Sequence, residues 1–146
     1  MKFRFIWVGK TKNKNWLALQ DDYLQRLGRF VKFEITELKD DTKDAEGKKI
    51  LESLNANSFL CVLDVLGKEI SSHELASKIE TWQNESVKEI AFIIGGFAGL
   101  SPKVVEKADF NLSLSRLTLT HEAARVVLTE QLYRAFTIIN NFPYQK

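Results

Sequence analysis

Three segments hold the residue types in this chain best suited to gripping a small molecule. They are Leu63-Asp64-Val65-Leu66-Gly67-Lys68, Ile94-Gly95-Gly96-Phe97-Ala98-Gly99-Leu100 and Leu114-Ser115-Arg116-Leu117-Thr118-Leu119-Thr120. Gly95, Gly96 and Gly99 lack a Cβ, so backbone there can approach a ligand closely, although a plain tight turn uses the same residues. In the third segment leucines alternate with small polar residues and one arginine. Apolar side chains of that kind can sandwich a flat ring while backbone groups read its edge. His121 follows directly and is the side chain of this region suited to accepting a proton near neutral pH. The competing reading of His121 is a first-turn helix residue bonded locally.

Other chemistries lack their residues. There is no G-x-x-x-x-G-K-[ST] loop for nucleotide hydrolysis and no G-x-S-x-G elbow for an acyl-enzyme. His73 and His121 sit in no metal-ligand motif, so no metal is expected. Cys61, the single cysteine, lies in an apolar run, where an inert buried thiol is expected and an intrachain disulfide is excluded. What remains is a reaction that depends on alignment.

The elements that must position these segments alternate between strand-like and helix-like patterns. Strands are predicted at Phe3–Val8, Val31–Leu38, Phe59–Leu63, Ile90–Ile94 and Phe110–Leu114. The runs FLCVL and IAFII are continuously apolar, as strands buried on both faces are. Helices are predicted at Lys14–Leu27, stopped by Gly28; at Ala45–Leu54, after a polar loop Lys39–Asp44; and at about Ser72–Gln83. Ser71 and Glu74 have capping-box spacing. Ser101-Pro102 opens a further helix, and His121–Asn140 forms the last, ended by Asn141 and Pro143. The expected fold is α/β, a mostly parallel sheet flanked by helices, with residues 1–146 as one domain. In such sheets ligands bind at the C-terminal ends of strands, where the three segments lie.

With 146 residues, 45% hydrophobic and 27% charged, the chain has ordinary globular usage. No apolar run approaches the roughly 20 residues of a membrane span. The N-terminus MKFRFIWVGK does not read as a secretory signal, so a cytoplasmic protein is expected. The net charge of +2 conceals an asymmetry: residues 1–33 carry +6, residues 34–109 carry −6 and residues 110–146 carry +2. A basic segment of this kind can meet a phosphate backbone, or can simply be neutralised by the acidic remainder.

Several motifs, in one order over nearly the whole chain, resemble the RlmH family. These are Ile93-Ile94-Gly95-Gly96-x-x-Gly99, Leu112-Ser113-Leu114-Ser115-Arg116-Leu117-Thr118 and His121-x-x-x-Arg125-Val126-x-Leu128-x-Glu130-Gln131-x-Tyr133-Arg134-Ala135. Val8-Gly9-Lys10, Tyr23-x-x-Arg26-Leu27, Glu46-Gly47-x-x-Ile50-Leu51, Leu63-Asp64-x-x-Gly67-Lys68 and Pro143-Tyr144 also fit. Members are ribosomal large-subunit RNA pseudouridine N3-methyltransferases of the SPOUT superfamily. The resemblance implies a C-terminal trefoil knot, a homodimer whose subunits together meet RNA, and S-adenosylmethionine as methyl donor. It places donor contacts on Leu63, Gly95 and the run Leu114, Ser115, Arg116, Leu117, Thr118 and Leu119. The implied partner is the assembled ribosome, with a pseudouridine of 23S rRNA as target.

Two positions depart from the family pattern. Gln145 stands where many members have histidine, and an amide does not titrate, which leaves the catalytic base open. Thr120 replaces a proline and is a good N-cap. For the reaction, His121, Arg125 and Tyr144 are the candidate catalytic residues. Arg116 and Arg125 are expected to face the target nucleotide, with a helix-surface pair to Glu122 as the other account of Arg125. Tyr144 could stack on a base or close the donor pocket across a dimer, or simply pack the tail. Lys10, Lys12 and Lys14, with Arg116, are the expected rRNA phosphate contacts. Val127, Leu132, Tyr133 and Phe136 form a stripe for either the dimer interface or the core. Methylation of another RNA such as tRNA, or RNA binding without catalysis, are the alternative functions.

Overall fold

The computed structural model describes residues 1–144, so the Gln145 departure and the charge of Lys146 lie outside the described residues. Ten elements alternate: β1 (Lys2–Val8), α1 (Lys14–Leu27), β2 (Lys32–Leu38), α2 (Lys43–Ser53), β3 (Phe59–Glu69), α3 (Ser72–Asn84), β4 (Glu89–Ile94), α4 (Pro102–Lys107), β5 (Phe110–Ser113) and α5 (His121–Ile139). The sheet order is β2-β1-β4-β3-β5, and every neighbouring pair is parallel, more uniform than the mostly parallel sheet expected.

Strand alternation builds two apolar layers. Phe3, Phe5 and Trp7 of β1, Cys61 of β3 and Ile90, Phe92 and Ile94 of β4 face the larger layer, together with α1, α3 and α5. Ile6 and Val8, Leu60 and Val62, and Ala91 and Ile93 face the smaller layer with Ile50 of α2 and Val104 of α4. β4 is buried at every position, as its continuous apolar run requires. Burial pushes the Cys61 thiol up, which suits an inert side chain. Leu132 and Phe136 of the α5 stripe belong to this core, while Tyr133 packs at its margin. The stripe is therefore largely spent within the subunit.

Local signals set the helix ends. Ser71 and Glu74 form the reciprocal capping box read from the sequence. α2 starts two residues earlier than expected because the Thr42 side chain accepts from the Ala45 N–H and caps it. β3 differs most from expectation. It continues past Leu63 to Glu69, with a bulge between Leu63 and Lys68 through which it returns to pair with β5. The bulged segment carries Asp64, Val65 and the 92% exposed Leu66. No helix among the described residues is long and apolar enough to cross a membrane.

Candidate active site

The bulge of β3 and the C-terminal ends of β4 and β5 converge on a cavity of about 570 Å³. Its wall is made of all three segments singled out by composition. Leu63, Gly95, Leu114, Ser115, Leu117, Thr118 and Leu119 line it, as does His121 at the first position of α5. Ile94, Leu100, Val105, Leu112 and Ala124 complete an apolar interior, and Asp64 is the carboxylate in its lining. Arg116 is not part of the wall. Its guanidinium pairs with Glu69 at the surface and the side chain is 87% exposed.

Backbone geometry shapes the second wall. The chain reverses after β4 through a Gly96–Gly99 bridge, closed by Gly99 N–H donating to Gly96 O at 3.0 Å, with Gly99 at φ +79°. Gly95 packs directly on that turn: a Cβ there would lie 2.9 Å from the Gly99 carbonyl carbon and 2.9 Å from Leu100 Cγ. The third segment is held by its own serine, since Ser115 Oγ accepts from the Leu117 N–H at 2.9 Å and Ser113 donates to Ser115 O at 3.1 Å. Phe97 and Leu117 stand out on the rim at 96% and 77% exposure.

A second cleft, about 510 Å³, adjoins the first and shares Phe97 and His121 with it. Gly9, Lys10 and Lys12 form one side, Asp40, Asp41 and Glu46 another, and Glu122 closes it beside His121. Lys10 and Lys12 are exposed there, whereas Lys14 is exposed at the start of α1 and does not line the cleft.

Arg125 corrects its sequence-based placement. It is fully buried, so its guanidinium does not reach a nucleotide. It donates to Val8 O at 2.7 Å and to Thr11 Oγ1 at 2.9 Å, and its Cζ lies 4.9 Å from the Trp7 ring centroid. Burial pushes it down to about 10, opposed by the charges of Glu122, Glu37 and Asp40, so it stays cationic at neutral pH. No ion pair joins it to Glu122 among the described residues. The Glu122 carboxylate accepts instead from the backbone N–H groups of Lys12 and Asn13. Burial raises that carboxyl, yet these two bonds with the nearby His121 and Arg125 hold it below its ordinary value.

Tyr144 lies elsewhere. Its hydroxyl donates to Glu130 Oε1 at 2.8 Å, its ring packs 4.7 Å from Tyr133, and Arg134 sits 4.8 Å from its centroid. Burial first, then hydrogen bonding with Tyr23 and Glu130, raises its ionisation range, so it remains a neutral donor. It does not line either cleft.

Sequence reasoning named Glu122 only as a partner for Arg125 and did not single out Gly9, Asp40 or Glu46 for the site. For Gly9 and Glu46 the signal was their place in the quoted Val8-Gly9-Lys10 and Glu46-Gly47 motifs, which the fold brings beside His121; Asp40, in a polar loop, carried none.

The family described as "predicted SPOUT methyltransferase" matches residues 1–145. Among curated relatives, the ribosomal RNA large subunit methyltransferase H of Limosilactobacillus reuteri is 41% identical over 159 aligned positions, covering all of both chains. Proteins of the same name from Ureaplasma urealyticum and Desulfotalea psychrophila are each 38% identical, again over the full length of both chains. Among solved structures, a "probable methylase family protein" from Haemophilus influenzae superposes with a TM-score of 0.59 at 14% identity, covering 99% of this chain and 70% of that one. A "probable methyltransferase" from Bordetella pertussis gives 0.57, also at 14% identity, over 92% and 95% of the two chains.

Proposed function

Because this chain belongs to the SPOUT methyltransferase family, we propose that it methylates N3 of a pseudouridine in large-subunit ribosomal RNA, using S-adenosylmethionine on the assembled ribosome. The observation that carries this reading is the pairing of clefts. An apolar cavity shares Phe97 and His121 with a cleft that carries Lys10 and Lys12 on one side and Asp40, Asp41, Glu46 and Glu122 on the others. The names of the full-length relatives support the rRNA substrate.

The cavity suits the donor's chemistry. Leucines at 63, 114, 117 and 119 can flank an adenine ring, the backbone of residues 114–119 can read its edge, and Asp64 suits its hydroxyl or ammonium groups. When bound, S-adenosylmethionine supplies a sulfonium-activated methyl group. The protein's task is then alignment and proton removal. In this reading His121, which lines both clefts, accepts the N3 proton as the ring nitrogen gains the methyl. Lys10 and Lys12 supply phosphate contacts beside that point, with Lys14 and Arg116 further out. In this reading the C-terminal segment is threaded as a trefoil knot and the protein works in the cytoplasm as a homodimer. Tyr144 then serves the active site through the second copy, since it lines neither cleft of its own chain.

The deciding experiment offers S-adenosylmethionine with whole ribosomes, isolated large subunits or tRNA, and identifies the modified nucleoside by mass spectrometry. N3-methylpseudouridine in ribosomes, from protein that sediments as a dimer, is the expected result. Methylation of tRNA alone would overturn the rRNA assignment. His121→Ala should slow single-turnover methylation by about 10²-fold or more, the usual contribution of a positioned base. An unchanged rate would remove His121 from the mechanism.

A further inference from the structure

The first turns of α5 hold both ends of the Val8–Asn13 segment. Glu122 receives the N–H groups of Lys12 and Asn13 at one end. One turn further, Arg125 donates to Val8 O at the other end and to Thr11 Oγ1, between the two lysines. Thr11 passes the connection on, donating to Gln20 Oε1 of α1 at 2.6 Å. Thr11 is buried while Lys10 and Lys12 on either side are exposed, so both cations lie along the cleft that includes His121.

Burying a guanidinium is costly, and an apolar side chain would fill the same space with less penalty. Arg125 Nε even lacks a partner among the described residues. The two donors it does use both go to the segment bearing the lysines. The charge serves to fix that segment.

We propose that Arg125 and Glu122 are positioning residues, a two-point clamp that sets Lys10 and Lys12 where substrate RNA phosphates must pass to bring a base to His121. The role rests on the RNA methylation proposed above. It assigns these two residues to substrate binding and not to the donor cavity, which neither of them lines.

The test is a mutant cycle on ribosome affinity and on donor affinity, each measured separately. Lys10→Gln with Lys12→Gln should weaken ribosome binding about tenfold and lower its dependence on salt, as loss of phosphate contacts does. Arg125→Met should weaken it by a similar factor with both lysines intact, and Arg125→Lys should recover part of the loss. Glu122→Ala, in the partly exposed first turn, gives a second variant should Arg125→Met fold poorly. Combining a clamp variant with the lysine pair should add little, because both remove the same contact. Donor affinity by calorimetry should stay within about twofold throughout, while hydrogen exchange at the Lys12 and Asn13 amides accelerates in Glu122→Ala. Additive losses approaching about a hundredfold, or donor affinity falling in step, would overturn the clamp. Wild-type protein that binds no ribosomes would instead overturn the rRNA reading, and the same cycle run on mixed-sequence duplex RNA would still decide the clamp.

Discussion

Gly95→Ala protein should lose S-adenosylmethionine affinity by about 10- to 100-fold, a cost of about 1.5–3 kcal/mol. The added methyl has nowhere to go. It would stand 2.9 Å from the Gly99 carbonyl carbon, 3.0 Å from Gly99 O and 2.9 Å from Leu100 Cγ. Two of these atoms are backbone, so a side-chain rotation cannot relieve the overlap. The loop itself must shift, and that loop forms one wall of the cavity. Gly99 offers the contrast. A Cβ there meets nothing within 4 Å, and the position is demanding only because of its φ of +79°. Asparagine tolerates that region, so Gly99→Asn should retain most of the affinity. Calorimetry with the donor checks both variants. Wild-type affinity in Gly95→Ala would show that the Gly95–Leu100 turn is not part of the donor site.

Phe92→Ala should be among the most destabilising single substitutions, lowering stability by about 3–5 kcal/mol and the melting temperature by about 10–15 °C. Phe92 is fully buried at the middle of β4, with β1 on one side and β3 on the other. Its ring meets Phe3 edge-on at 5.1 Å and stacks on Phe5 at 5.7 Å. Paired strands on both sides prevent the backbone from collapsing into the space, so most of the cavity penalty persists. Phe92→Leu keeps much of the volume and should cost about half as much or less. Phe97→Ala is the surface control, at 96% exposure, and should leave the unfolding midpoint within about 0.5 kcal/mol of wild type. Denaturant titration checks all three.

Much of the fold was legible because its signals are local. The FLCVL and IAFII runs mark strands covered on both faces, and Ser71 with Glu74 marks the start of α3. The segments that line the first cavity were legible for the same reason, as small or polar residues interrupt apolar runs. Periodicity misleads within α1, where Trp16 and Leu19 share helical spacing with Tyr23, Leu24 and Leu27 yet stand 36% and 44% exposed. The outer half of β3 was invisible because Asp64–Glu69 has no apolar alternation, and only pairing with β5 across the bulge makes it a strand. Arg125 was misplaced because nothing near it in sequence foretells its partner, the Val8 carbonyl, 117 residues away. The second cleft was hidden in the same way, since it joins residues near 10, 40, 97 and 122.

The neighbours of β1 have a consequence for how the molecule is made. Phe3 lies opposite Ile90 of β4, so the most apolar N-terminal strand must await a partner 87 residues further along the chain. At roughly 5–20 residues per second of synthesis, that wait lasts roughly 4–17 s. During it Phe3, Phe5 and Trp7 can be covered only by elements already made, first β2 and α1 and later α3. Pairings so distant in sequence slow folding, because loop closure is unfavourable before the contacts it allows can form. The chain should therefore acquire its native sheet only after β4 and β5 have both left the ribosome.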